Sequence, residues 1–273
     1  MITVTRIGGA LGADVHGLDL AQPLDGEAVA LIRSALAEHL VLFFRGQHLL
    51  GIDEHKRLAR HFGEIEVAPF QRRTVDPGVL LIDIENPHGS QAANFHADNT
   101  FRPYPPLGAI LQAQVLPAAG GDTCFASMHA AFDALSPRMQ AYLDGLEAWH
   151  SLEQMARRLA GHGVSPVLDM DEWPPVKHPV IATHPDTGRK LLNVNYNWTT
   201  GIDGLPAAES RLILGFLFDH VRRPEFQVRL RWNVGDIAFW DNRATQHCAV
   251  PDYSERRCMQ RIAIAGSPET AVA

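Results

Sequence analysis

A mixed β fold with flanking helices is what this sequence predicts, on three observations. Short apolar runs bounded by Gly, Pro, Asn or Asp recur through the 273 residues, the pattern of buried strands. Two pairs of these runs are joined by turn residues, as β-hairpins are. Stretches with apolar residues at helical spacing stand between the runs, several opened by a capping residue. No internal repeat, low-complexity tract or linker divides the chain, so residues 1–273 read as a single domain.

Helical patterns cover about residues 25–40 and 53–62, with Asp25 and Asp53 as N-caps. Residues 41–44 and 79–82 are short apolar runs and read as buried strands. The strand pattern resumes over residues 107–116, turns at Gly120-Gly121-Asp122 and restarts at Thr123. Ser136-Pro137 opens a helix, with Ser as cap and Pro in the first turn, and places Met139, Tyr142, Leu143 and Leu146 on one face. Residues 149–177 have mixed polarity with Pro166, Pro174 and Pro175, and a loop of this length reads as a lid over a site. Residues 179–183 and 191–195 form a hairpin across Pro185-Asp186-Thr187-Gly188, and residues 228–232 and 237–240 form a second across Asn233-Val234-Gly235-Asp236. Between them, residues 206–220 form an amphipathic helix presenting Leu212, Ile213, Phe216 and Leu217. A last strand covers residues 257–265.

Hydrophobic residues make up 46% and charged residues 20%, which excludes the disordered and fibrous classes. The net charge is −7 and no basic run could track a phosphate backbone, so no nucleic-acid partner is expected. The first residues lack the basic and apolar regions of a signal peptide, and no apolar stretch approaches the roughly 20 residues that span a bilayer. The expectation is a cytoplasmic protein without membrane contact. Cys124, Cys248 and Cys258 are odd in number and lack CxxC spacing, which argues against a disulfide framework or a zinc knuckle; Cys248 reads as a buried small hydrophobe.

The chemistry is carried by His96-Ala97-Asp98 together with the distant His247. Two histidines and one carboxylate are the set that binds non-haem Fe(II) on one face and leaves other positions open. If residues 96–98 are extended, His96 and Asp98 project to the same side and reach one metal while Ala97 points away. On the last strand, alternation puts Arg257, Met259 and Arg261 on one face with no acid among them. Two guanidiniums are costly to bury unpaired, so that face is expected to look at solvent or at anionic ligands.

Several motifs stand in a recognisable order: Phe95-His96-Ala97-Asp98-Asn99-Thr100-Phe101, Gly120-Gly121-Asp122-Thr123, Gly188-Arg189-Lys190, Gly235-Asp236 through Trp240-Asp241-Asn242 to His247, and Arg256-Arg257 with Arg261. On these motifs the chain resembles the taurine dioxygenase and 2,4-dichlorophenoxyacetate dioxygenase family over essentially its whole length. The resemblance implies a double-stranded β-helix, a jelly-roll barrel with helices packed outside. It implies an enzyme that uses Fe(II), 2-oxoglutarate and O2 to hydroxylate a small organic anion (a sulfonate, alkyl sulfate or aryloxyalkanoate), releasing succinate and CO2, and a homodimer or homotetramer. By position it makes His96, Asp98 and His247 the metal ligands, puts Thr123 and Arg257 on 2-oxoglutarate, and puts Arg261 and Asn99 on the substrate side. Phe95 stands where the family commonly carries Trp, and Ala68 where the taurine enzyme carries a histidine for the sulfonate. The resemblance therefore points away from taurine itself, with Glu66, Ala68 and Gln71 expected near the substrate end.

The same three ligands also suit Zn²⁺, so a zinc hydrolase on this triad is a second reading and a non-catalytic jelly-roll binding protein a third. Arg257 and Thr123 speak against hydrolysis, which needs no clamp for 2-oxoglutarate, and a complete triad speaks against binding alone. Trp240 reads as a core aromatic that could also sit near the metal. The remaining histidines, His55, His61, His129 and His150 among them, read as surface or helix residues without a role; Arg189 and Lys190 read as the solvated end of a hairpin.

Overall fold

Val41, Leu42, Phe43 and Phe44 are all buried, and this run explains the layering, because a strand apolar at every position needs cover on both faces. The computed structural model describes residues 1–67, 76–87, 93–156 and 172–273. The first half runs β1 (Thr3–Arg6), β2 (Ala13–His16), α1 (Gly26–His39), β3 (Val41–Phe44), α2 (Ile52–Arg60), β4 (Leu80–Ile84), β5 (Gly108–Val115) and β6 (Thr123–Ser127). Then come α3 (Met128–Asp133), α4 (Pro137–Leu143), β7 (Glu147–His150), β8 (Val176–Pro179), β9 (Ile181–Thr183), β10 (Lys190–Leu192) and β11 (Thr199–Ile202). The chain finishes with α5 (Ala207–Val221), β12 (Gln227–Leu230), β13 (Ile237–Asp241), β14 (Thr245–Ala249) and β15 (Arg257–Ile264).

Seven strands form one sheet in the order β1-β2-β3-β13-β5-β15-β4, and three form a second, β12-β6-β14. One face of the large sheet, with Leu42, Phe44, Ile110, Phe239 and Ile262, packs on α1 and α2 through Ile32, Leu36 and Leu58. Its other face carries Val41, Phe43, Leu111, Trp240 and Met259. There the second sheet covers it: the Phe125 ring of β6 lies 5.8 Å from Phe43 and 5.6 Å from Trp240. The expected mixed β fold with flanking helices is present. The ladders among the described residues nevertheless form separate sheets rather than a hydrogen-bonded closed barrel, since the seven-stranded sheet and the β12-β6-β14 sheet meet through side chains.

Three local expectations change. The run at residues 228–240 is not a hairpin: β12 pairs with β6, whereas β13 pairs with β3 and β5, so its connection crosses between sheets. Asp236 makes this turn a crossover, because its carboxylate takes Arg45 at 2.9 Å and the Gly46 N–H at 3.0 Å and so ties the start of β13 to the end of β3. Helix α2 begins at Ile52 with Gly51, not Asp53, as N-cap; Glu54 accepts the Gly51 N–H at 2.8 Å. Helix α5 buries Ser210, Leu214, Leu217, His220 and Val221 and leaves Leu212 and Phe216 exposed. Its sequence is apolar on more than one stripe, and polar partners choose among them: Ser210 Oγ accepts the Ile202 N–H at 2.8 Å, and His220 Nε2 bonds the Ala131 carbonyl at 2.8 Å.

The hairpin of β9 and β10 forms as expected, Ser136 caps α4 by accepting the Met139 N–H at 3.2 Å, and Asp25 caps α1 at 2.8 Å. Of the stretch expected to be a lid, residues 157–171 lie outside the described residues. Its ends are strands, since β7 and β8 pair antiparallel with His150 opposite Val176. Among the described residues no helix is long and apolar enough to cross a membrane.

The histidines read as peripheral are largely interior. His55, His129 and His150 are fully buried and His61 is half-buried. Partners make this tolerable: His55 Nδ1 accepts from Gln260 at 2.9 Å, His129 Nδ1 bonds the Lys190 carbonyl at 2.8 Å, and His150 lies 2.8 Å from Thr100 Oγ1. Burial lowers the His55 pKa from 6.5 to about 4 and takes His150 well below its ordinary value. Between those values and 6.5 the unfolded chain binds protons that the native protein refuses, so stability falls as pH falls, by up to about 1.4 kcal/mol per pH unit for each such ring. The urea midpoint of the metal-free protein is expected to drop on going from about pH 7 to about pH 5, and less steeply in His55→Gln. A midpoint flat across that interval contradicts the assignment.

Candidate metal centre and adjoining cleft

His96 and His247 lie opposite each other in an isolated two-bond bridge, His96 N–H to the His247 carbonyl at 3.1 Å and His247 N–H to the His96 carbonyl at 2.8 Å. This places the two rings 4.4 Å apart. The Nδ1 of His96 donates to the Asn94 carbonyl at 2.7 Å, which fixes the tautomer and leaves the Nε2 lone pair free. That Nε2 is 3.8 Å from Asp98 Oδ1, and the Nε2 of His247 is 4.0 Å from the same oxygen. Asp98 Oδ2 is buried with no hydrogen-bond partner among the described residues.

The extended conformation expected for residues 96–98 is not what brings these atoms together. His96 occupies its bridge, but Asp98 begins a turn, and Asn99 follows with φ of 50°. The backbone of the turn is held from outside: Asn242 bonds both the N–H and the carbonyl of Asp98, and Trp198 Nε1 donates to the Ala97 carbonyl at 2.8 Å. Neither Asn242 nor Trp198 was singled out from the sequence; Asn242 stood in a motif, but nothing local to it pointed at residue 98.

Electrostatics suit a cation. Burial lowers the His247 pKa to about 3, and it lowers His96 as well, so both rings are neutral donors near neutral pH. Burial pushes the Asp98 carboxyl up, but Arg261, ahead of the two imidazoles, holds it below the usual carboxylate range. Two neutral imidazoles, a carboxylate and a buried unpartnered oxygen fit a divalent metal ion. A second cluster, His184, Asp186 and Asp241, does not. Both His184 nitrogens are taken, by Asp241 Oδ2 at 3.0 Å and the Asp186 N–H at 3.2 Å, and Arg243 already neutralises Asp241 at 2.9 Å.

A cleft adjoins the triad, lined by His96, His247 and Arg261, by Thr123, Tyr253 and Arg257, and by Ile82, Leu111, Trp240 and Val250. Arg257 is buried with neutral partners: its Nε donates to the Gly121 carbonyl at 2.9 Å and an Nη to Thr123 Oγ1 at 3.4 Å, with Tyr253 alongside. Burial pushes its pKa down. Gly121 is required here, since its φ is 73° and a Cβ would lie 3.0 Å from Arg257 Cδ. Trp232 Nε1 also donates to Thr123 Oγ1, at 3.0 Å, so this hydroxyl accepts twice and its own hydrogen is free for a ligand.

Arg261 shares the cleft but is not free of acids: its Nη1 donates to Asp98 Oδ1 at 2.8 Å, while its buried Nε has no partner among the described residues. The expected acid-free face therefore acquires an acid from another segment. Asn99 does not line the cleft; its amide donates to Glu66 Oε1 at 2.6 Å. Glu66, 3% exposed, is pushed up in pKa by burial against the pull of Arg102. Ala68 and Gln71 lie outside the described residues. Trp240 is both core and neighbour of the site, fully buried with its ring 4.8 Å from that of His247. Cys248 is buried, as expected, opposite Cys124.

The family model described as taurine catabolism dioxygenase TauD, TfdA family matches residues 3–263. The chain is 33% identical to an alkylsulfatase of Acinetobacter baylyi, covering 98% of this chain and 86% of that protein. It is 34% identical to the alpha-ketoglutarate-dependent 2,4-dichlorophenoxyacetate dioxygenase of Cupriavidus pinatubonensis, covering 91% of this chain and 92% of that protein. Among solved structures it is similar to AAD-2 in complex with Mn(II) and N-oxalylglycine, with a TM-score of 0.84 and 30% identity over 99% of this chain and 100% of that one.

Proposed function

Since the chain belongs to the taurine catabolism dioxygenase TauD, TfdA family, we propose that it is an Fe(II)- and 2-oxoglutarate-dependent dioxygenase that hydroxylates a small organic monoanion. The observation that carries this reading is one cleft holding both the His96–Asp98–His247 triad and a buried arginine, Arg257, whose own partners are neutral. When bound there, Fe(II) and 2-oxoglutarate supply O2 activation and the oxidative decarboxylation that releases succinate and CO2. The residues do the rest. His96, Asp98 and His247 would hold the metal. Arg257 takes the distal carboxylate of 2-oxoglutarate through the donors left free on its fork, and the Thr123 hydroxyl donates beside it. Ile82, Leu111 and Trp240 give the same cleft an apolar wall.

Charge counting narrows the substrate. With both imidazoles neutral, and with the nearby Glu66 and Asp122 carboxylates paired with Arg102 and Arg229, Arg257 and Arg261 against Asp98 leave the ligand-free cleft one positive charge. A divalent cation adds two and a 2-oxoglutarate dianion removes two, so the loaded cleft still has one positive charge to offer a substrate. A sulfate monoester, a sulfonate or an aryloxyalkanoate carries the single negative charge this requires, with Arg261 as its partner. The proposal includes a single domain over residues 1–273, a double-stranded β-helix made of the seven-stranded and three-stranded sheets, and a cytoplasmic location.

The test is succinate formation with Fe(II), 2-oxoglutarate and O2 across alkyl sulfates, sulfonates, aryloxyalkanoates and taurine. The expected result is substrate-dependent succinate with an apolar monoanion, exceeding that with taurine. Absence of succinate with every compound, together with hydrolysis supported by Zn²⁺ alone, overturns the reading in favour of a zinc hydrolase.

A further inference from the structure

The turn carrying Asp98 lacks what normally fixes a metal ligand. His96 has its bridge, but the Asp98 backbone joins no strand ladder, and the residue is 4% exposed. A buried backbone N–H and carbonyl left without partners are each destabilising. Both partners come from one side chain. Asn242 Oδ1 accepts the Asp98 N–H at 2.7 Å, and Asn242 Nδ2 donates to the Asp98 carbonyl at 3.0 Å and to the Pro106 carbonyl at 3.2 Å. The carboxamide is 2% exposed and stands in for a neighbouring strand. Its own backbone is anchored, since the Asn242 N–H donates to the Leu107 carbonyl at 2.9 Å directly after β13.

We propose that Asn242 is a positioning residue for the metal centre, and that the short segment from Asn242 to His247 sets all three ligands. His247 is itself a ligand; its backbone seats His96 through the two-bond bridge; Asn242 seats Asp98. The spacing of the triad then depends on one connection between β13 and β14 rather than on the turn at residues 98–100. Asn fits because it offers an acceptor and a two-hydrogen donor at one reach. Asp keeps the acceptor, loses the donors and sets a carboxylate against two carbonyl oxygens.

The inference rests on His96, Asp98 and His247 being the cation ligands, and the experiment separates the two. Mn(II) binding is measured on the metal-free full-length wild type, on Asn242→Asp and Asn242→Ser, and on Gln112→Leu. Gln112 is a buried amide bonded to Leu50, His48 and Gly235, away from the triad. Wild type is expected to bind, and the Asn242 variants, folded by circular dichroism, to bind about 10–100-fold more weakly. Gln112→Leu is expected to lose stability and keep its Mn(II) affinity. Failure of the wild type to bind Mn(II) removes the ligand assignment itself. Wild-type binding with equal binding by the Asn242 variants overturns only the positioning role. If neither variant folds, amide exchange in the wild type decides. The Asp98 amide is expected to be protected before any cation is added, and protection that arises only with Mn(II) shows that the metal, not Asn242, orders the turn.

Discussion

Arg257→Leu is expected to raise the 2-oxoglutarate concentration for half-maximal turnover by about two to three orders of magnitude, the equivalent of about 3–4 kcal/mol, within the range for removing one member of a buried charge pair. The effect should be confined to the ligand. In the ligand-free protein the hydrogen-bond partners of Arg257 are a carbonyl, a hydroxyl and a phenol, and the nearby Asp122 carboxylate is itself paired with Arg229, so no direct ion pair is lost among the described residues. A leucine there removes a desolvated charge, and the thermal midpoint of the ligand-free variant should equal or exceed that of wild type. Mn(II) affinity in the absence of 2-oxoglutarate should also be unchanged. Titrations of 2-oxoglutarate and of Mn(II), together with a melting curve, check all three. An unchanged 2-oxoglutarate requirement removes Arg257 from the proposed clamp; a collapsed melting curve makes its role structural. Arg261→Leu should differ, because Arg261 is bonded to Asp98: it is expected to weaken substrate and metal binding while the 2-oxoglutarate requirement moves far less.

Asp98→Ala is expected to abolish measurable divalent-cation binding and activity together, and to destabilise the ligand-free protein by about 3–5 kcal/mol. The first effect follows from removing the one carboxylate of the triad. The second follows from Arg261, 8% exposed, whose counter-ion is Asp98 at 2.8 Å. Wild-type protein should gain thermal stability on addition of Mn(II), and the variant should gain none. Adding Arg261→Leu to Asp98→Ala should recover most of the lost stability and none of the metal binding, a coupling that a double-mutant cycle reads directly. If the single variant is as stable as wild type, the Asp98–Arg261 pair carries no net charge stabilisation. If it still binds Mn(II) normally, Asp98 is not a ligand.

Features whose physical cause lies within a few residues were readable from the chain alone. The apolar run at Val41 to Phe44, the Ser136-Pro137 helix start, the turn between β9 and β10 and the two faces of β15, buried on both sides, each express a local period or cap, and each is present. The candidate triad His96, Asp98 and His247 was legible too, because few residue types bind a metal, and the fold brings the three together. Tertiary structure alone decided how those residues meet. It made Asp98 begin a turn held by Asn242 rather than continue a strand from His96, routed β12 and β13 into different sheets through Asp236, and chose the buried stripe of α5 through Ser210 and His220. It also gave Arg261 a counter-ion 163 positions away and buried histidines that read as peripheral. The physical reason is common to these cases. A polar or charged group is admitted to a low-dielectric interior only with a partner, and that partner is supplied by whichever distant segment the fold brings alongside.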